Sequence, residues 1–416
     1  MLKSPASLKT FALAAAAALL TLISISAPAS RAQVQDEEAH QRPRRVSPTP
    51  PPTPQTTPTP KATPQKGSTG EEVDDGDVVR IETQLVSVPA IVTDRTGRPL
   101  TGLSAADFQV YEDGRPQKIA NFSTTEAPFE VALLLDTSGS TREDVGLIRA
   151  AARAFVEALR PGDRVAILAF NTKKEGNDSL ATVELKSPLT DDRELLQEAV
   201  ESIGASNGTP FYDSLSKVAR DVFRDRPTEQ MRGRRALVAL TDGVDSTSES
   251  GFEEARESLK RAGVVSYFVL VNTEDYVEDR LMQDCEDDGA LRLSNTQLRR
   301  YQRVIAPGAA AEDFSNFCRM GQFERMHASR TLYQMARAEM ASLARESGGK
   351  TFAAADLRDA RRAFRQVAED IGTQYSIGYY STNTARDGTF RKINVQVRTV
   401  KDAQVRAREG YQAPRS

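Results

Sequence analysis

The chain has no tryptophan, and only two histidines and two cysteines among 416 residues. Its charges nearly cancel: 55 basic against 58 acidic residues give a formal net charge of −3. That balance offers no sign of nucleic acid or an anionic membrane as partner, and no basic stripe with interleaved aromatics stands out. The two cysteines, Cys285 and Cys318, belong to one region. If the chain is exported into an oxidising compartment, they are expected to form a disulfide, worth roughly 3 to 4 kcal/mol for a loop of this size. Two free buried thiols are the alternative.

What is present begins with an export signature over residues 1–32. Lys3 and Lys9 precede the apolar run "FALAAAAALLTLISISA", and "APASRAQ" offers small residues for cleavage near Ala29 or Ala32. An uncleaved anchor is the alternative, and membrane contact would then occur only through this segment. No cysteine lies near the site for lipid attachment. Residues 33–77 are rich in Pro and Thr, and their composition predicts a disordered, extended spacer. The expected location is periplasmic, cell-surface or secreted.

Residues 78–128 alternate like short strands, with Asp113-Gly114 as a hairpin turn, but so few strands make a poor core. From about 129 to 373 apolar strands such as "EVALLLD", "RVAILAF", "RRALVALTDG" and "VVSYFVLVN" alternate with helical patterns. This predicts an α/β fold with a doubly wound, mostly parallel sheet. An insertion over about 274–329 carries Cys285 and Cys318. The last 43 residues, 374–416, return to strand patterning. They are expected to pair with the N-terminal strands into a flanking β-sandwich, because neither half can bury a core alone.

In open α/β sheets ligands bind outside the carboxyl ends of the strands. Asp136 ends one apolar strand and Asp242 another; Ser138 and Ser140 follow Asp136, and Thr209 comes from a third loop, "ASNGTPFYD". Five oxygen-bearing side chains thus converge from three segments. A set without nitrogen or sulfur favours a hard cation over zinc or copper. Singly each has a plain structural role: Thr209 before Pro210 fits a helix N-cap, and the serines and Asp242-Gly243 fit turns.

Taken together, "DTSGS", "NGTPFYDSL" and "ALTDG" resemble the von Willebrand factor type A domain and its metal-ion-dependent adhesion site. The resemblance covers about 130–372 and implies a Rossmann-like domain. It implies Mg²⁺, with Mn²⁺ or Ca²⁺ as alternatives, held by Ser138, Ser140 and Thr209, with Asp136 and Asp242 bound directly or through water. The wider layout is similar to a bacterial exported group of such proteins. The implied function is adhesion-type binding of a protein that presents an Asp or Glu. A structural or assembly component of the cell envelope is the alternative. No enzyme activity is expected: position 138 is Ser where an Asp-x-Asp phosphotransferase has its second acid, and the "DTSGS" loop does not match Gly-x-Ser-x-Gly. The only histidines are His40 in the spacer and His327 in the insertion, so a hydrolase reading rests on His327 reaching Ser138 or Ser140.

Overall fold

The computed structural model describes residues 85–138, 144–176, 178–225, 227–228, 231, 233–285, 291–308 and 317–415. The expected signal segment and spacer, and Ser140, lie outside the described residues. The first four strands are β1 (Leu85–Thr93), β2 (Phe108–Glu112), β3 (Arg115–Gln117) and β4 (Ile119–Ser123). Asp113 and Gly114 both take positive φ in the β2–β3 hairpin, the backbone such a two-residue turn demands.

The α/β unit opens with β5 (Glu130–Leu135), all six of whose residues are buried. There follow α1 (Val145–Ala158), β6 (Arg164–Glu175), β7 (Asp178–Thr190), α2 (Arg193–Glu201) and α3 (Phe211–Lys217), the last continued by a π-helical turn over Val218–Val222. Next come β8 (Arg235–Thr241), α4 (Phe252–Arg261) and β9 (Val264–Val271). The insertion supplies α5 (Glu274–Leu281) and α6 (Asn295–Ile305) before α7 (Gln322–Ser347), β10 (Lys350–Ala354) and α8 (Ala360–Gly372). The six-stranded sheet runs β10-β9-β8-β5-β6-β7, parallel except for β7. Val131, Leu133 and Leu135 of β5 face one core with Phe155 and Phe364, while Ala132 and Leu134 face the other with Phe211, Phe268 and Met340. Both faces of the strand are covered, which is why its sequence is continuously apolar.

Two extents differ from the sequence reading. The apolar pattern of β6 stops at Phe170, yet the strand continues to Glu175 in a long hairpin with β7. Helix α7 starts at Gln322, eight residues before the expected 330, so the insertion ends at Gly321. The hidden turn is polar: Arg325 is buried there, with its guanidinium donating to the carbonyls of Leu281, Gln283, Cys318 and Met320. Cys285 and Cys318 are disulfide-bonded across the same knot.

The chain ends with β11 (Gln374–Tyr380), β12 (Phe390–Val397), β13 (Gln404–Ala407) and β14 (Gly410–Gln412). They interleave with the first strands in two four-stranded sheets, β13-β1-β11-β4 and β14-β12-β2-β3. Val88, Val110, Ile377 and Ile393 lie between them, with Phe108, Phe122 and Tyr375 at centroid separations of 5.2–5.8 Å. At the junction with the α/β unit, Arg234 packs over the Phe129 ring at 4.1 Å. It donates to the carbonyls of Thr124, Ala127, Pro128 and Gln374, which tie the entry and exit of that unit together. Burial lowers its guanidinium pKa to about 9.

Inside the sandwich Glu112, 2% exposed, accepts from Tyr379 Oη at 2.7 Å, Tyr411 Oη at 3.0 Å and Ser381 Oγ at 2.6 Å. It also pairs with Arg391 at 3.4 Å, itself 1% exposed. Removing one partner of a buried pair leaves the other charge uncompensated. Glu112→Ala is therefore expected to destabilise the protein by roughly 3 to 5 kcal/mol in urea unfolding, against little change for the exposed Glu126→Ala. An unchanged midpoint would refute that role for the network.

Candidate functional site

Strands β5 and β8 are neighbours at the point where the sheet's order reverses, since β5 leads on to β6 on one side and β8 to β9 on the other. Such a switch point opens a crevice at the carboxyl ends of the strands. The register Leu135↔Leu240 brings both strands to one height, and the Asp136 N–H extends the ladder to Leu240 O at 3.0 Å. Asp136 and Asp242 leave the core together, 1% and 6% exposed. Thr241 Oγ1 donates to Asp136 Oδ2 at 2.7 Å, and the Ser138 N–H donates to Oδ1 at 3.0 Å. Burial, and then the charge of Asp242, push the Asp136 carboxyl up to about 7 against these hydrogen bonds.

Asp242 is oriented from the far side. Its Oδ1 accepts the Val244 N–H at 3.0 Å, and its Oδ2 accepts Thr273 Oγ1 at 2.7 Å and Tyr333 Oη at 3.5 Å. Thr273 and Tyr333 hydroxyls also lie 2.7 Å apart. Because the one Thr273 proton goes to Asp242, Tyr333 donates to Thr273 as well as facing the carboxylate. Burial and the Asp242 charge hold the Tyr333 phenol protonated, well above its usual range.

The third loop is tied to the first through its backbone. Ser206 N–H donates to Thr137 O at 2.7 Å, and Thr137 Oγ1 donates to Phe170 O at 3.0 Å. Gly208 has no room for a side chain: a Cβ there would sit 2.8 Å from Thr247 Cγ2. Thr209 exchanges two bonds with Ser246, its N–H going to Ser246 Oγ at 2.8 Å and its carbonyl accepting the Ser246 N–H at 3.0 Å.

The N-cap reading of Thr209 is overturned. Helix α3 begins at Phe211 after Pro210, and its first amides, Phe211 and Tyr212, donate to Asp245 Oδ1 at 2.9 and 3.4 Å. A carboxylate from the β8 loop thus does the capping, and burial raises Asp245 to about 6. Asp213 in turn accepts the Glu249 and Ser250 amides, each at 3.0 Å. Among the described residues the Thr209 hydroxyl has no hydrogen-bond partner, although the residue is buried.

The structure therefore gathers Asp136, Ser138, Thr209 and Asp242 around the switch point, while Ser140 lies outside the described residues. Two buried carboxylates, Asp136 held protonated in part by the charge of Asp242, beside hydroxyls on separate loops, make an oxygen-only donor set that fits a hard cation. Among the described residues no three His, Cys, Asp or Glu side chains cluster for a metal, so such an ion would depend on the hydroxyls. His327 is exposed on α7 with its ring edge-on to Tyr301 at 5.8 Å. Sequence reasoning missed Thr241, Asp245, Ser246, Thr273 and Tyr333. The first three stand inside or beside "ALTDGVDS", where their density of oxygens was a signal; Thr273 and Tyr333 had none, since 60 residues separate them.

Residues 130–297 match the model of the von Willebrand factor type A domain. No curated protein matches the chain. Among solved structures it is similar to proximal thread matrix protein 1 from the mussel byssus, at 13% identity over 70% of this chain and 51% of that one, with a TM-score of 0.38. It is also similar to a von Willebrand factor type A protein from Catenulispora acidiphila (13% identity, 74% and 72% covered, TM-score 0.35). A third is the pilus adhesin SpaC from Lactobacillus rhamnosus GG in its open conformation (11%, 77% and 49%, 0.36). The chain thus spans about half the length of the mussel protein and of the pilus adhesin.

Asp136 and Asp245 are both raised above the ordinary carboxylate range, to about 7 and about 6, so from that range up to the raised values the folded chain binds more protons than the unfolded one. Their contribution is complete below the unfolded pKa and is lost as pH rises through the folded values. In a chelator, the melting temperature of Asp136→Asn relative to wild type is expected to climb from pH 4.5 to pH 7.5. A pH-independent difference would contradict the assigned burial.

Proposed function

We propose that the von Willebrand factor type A domain of this chain is a divalent-cation-dependent protein-binding module of the adhesion type. Asp136, Ser138, Ser140, Thr209 and Asp242 hold the ion, Mg²⁺ by preference, and the partner presents an Asp or Glu. The observation that carries the reading is the buried Asp136–Asp242 pair at the switch point, whose mutual repulsion is felt in the raised Asp136. When bound, the cation offsets that repulsion and offers an electrophilic position to an anionic oxygen. The chain's own residues do the rest. Thr241 and the Ser138 amide aim Asp136, Thr273 and Tyr333 aim Asp242, and the Ser246 exchange holds Thr209 at the loop apex with its hydroxyl unused by the helix.

The reading is binding without turnover. It places the domain outside the cytoplasm, carried by the export signature and the Pro/Thr-rich spacer.

A ligand that binds only the native state stabilises it by about 2.7 kcal/mol at a hundredfold excess over Kd. Mg²⁺ is therefore expected to raise the melting temperature of the wild type by several degrees and to leave Asp136→Ala unmoved; equal curves for the two proteins would defeat the proposal. Tyr333→Phe keeps the ring but loses the hydroxyl behind Asp242. It is expected to weaken Mg²⁺ affinity about 10- to 100-fold in isothermal titration, the usual effect of losing an outer-shell partner.

A further inference from the structure

Residues 289–311 contain four arginines, Arg292, Arg299, Arg300 and Arg303, and no acidic residue. The chain's overall balance conceals this island, and the structure shows how it is used. Helix α6 buries Gln297, Leu298, Arg300, Tyr301 and Gln302. Arg300 is committed inward, paired with Glu339 and lying 5.0 Å over the Tyr212 ring. Arg299 and Arg303, one turn apart, are exposed, and neither has an ion-pair partner among the described residues.

The start of α6 is fastened to the rim of the site. Ser294, its N-cap, donates Oγ to Ser246 O at 2.6 Å, and Ser246 is the residue that holds the Thr209 backbone. In the last turn of α6, Val304 and Ile305 are exposed. Helix α6 thus leads from the site rim at Ser294 past two exposed arginines to an exposed apolar last turn. The disulfide and Arg325 hold its frame before any partner arrives, which lowers the ordering cost of binding.

We propose that this strip of α6 is the specificity half of the partner surface, and that it takes an acidic protein segment ending in an apolar residue. The proposal rests on the function given above: one carboxylate goes to the Asp136–Asp242 site, further carboxylates to Arg299 and Arg303, and the apolar side chain to Val304 and Ile305. Arginine's planar fork suits carboxylates by paired hydrogen bonds. The eleven residues of α6 span about 16 Å, which an extended peptide covers in about five residues. A nucleic acid would also meet the arginines, but the only aromatic ring of α6, Tyr301, is buried and leaves no stacking platform on the strip.

The test is a selection of random displayed 12-residue peptides on the disulfide-intact full chain in Mg²⁺, followed by affinity measurement with the synthetic winners. The expected winners are rich in Asp and Glu and bind R299E/R303E at least tenfold more weakly and Ile305→Ser several-fold more weakly, while the Mg²⁺-induced melting shift of both variants stays unchanged. No winners, winners without acidic enrichment, or equal affinity for R299E/R303E would overturn the proposal, as would tighter capture of a poly-uridylate probe. A wild type whose melting temperature ignores Mg²⁺ would instead bring down the reading beneath it, and this proposal with it.

Discussion

The pairing of β5 with β8 is the constraint on which the rest of the molecule depends. Both strands are buried on two faces, so neither can slide without moving apolar residues into polar surroundings. Their register therefore fixes where the chain leaves the core. Asp136 and Asp242 stand at that height because Leu135 and Leu240 are partners, and the strand order reverses between them. Two carboxylates that would avoid each other in water are held together by an apolar sheet. Desolvation and the charge of Asp242 raise Asp136.

Around this pair the loops are organised by hydrogen bonds of unequal roles. Asp245 caps α3, Asp213 gathers the amides of Glu249 and Ser250, and Ser246 locks Thr209. Each of these polar groups serves the backbone of another loop, so the third loop and the β8 loop behave as one piece. The consequence for Thr209 is specific: capping is done elsewhere, and its hydroxyl stays available at the crevice. Thr273, the N-cap of α5, and Tyr333, midway along α7, complete the arrangement. The insertion is thereby joined to the site at two places, behind Asp242 and, through Ser294, beside Thr209.

Much of this was legible in the order of residues. The α/β class followed from continuous apolar strands alternating with helical periodicity, because two-sided burial and one-sided burial leave different patterns. That Asp136 and Asp242 stand where two apolar strands leave the core was legible from the residues that end those runs. The extents of β6 and α7 were not legible, because β6 continues as a polar two-stranded ribbon and the first turns of α7 bury an arginine satisfied by carbonyls. Periodicity sees only apolar burial. It is blind to a polar side chain whose partners are distant in the chain.

The sequence by itself determined the fold class, the height of Asp136 and Asp242 above the core, and the oxygen-only chemistry of the crevice, since these are local properties of apolar runs and the residues that end them. Only the tertiary structure decided which acid caps α3, which hydroxyls aim Asp242, and how the acid-free arginine strip lies relative to the crevice. Those relations join residues 31 to 91 positions apart. Their energy depends on burial and on hydrogen-bond geometry that exists only after the sheet and its loops have closed.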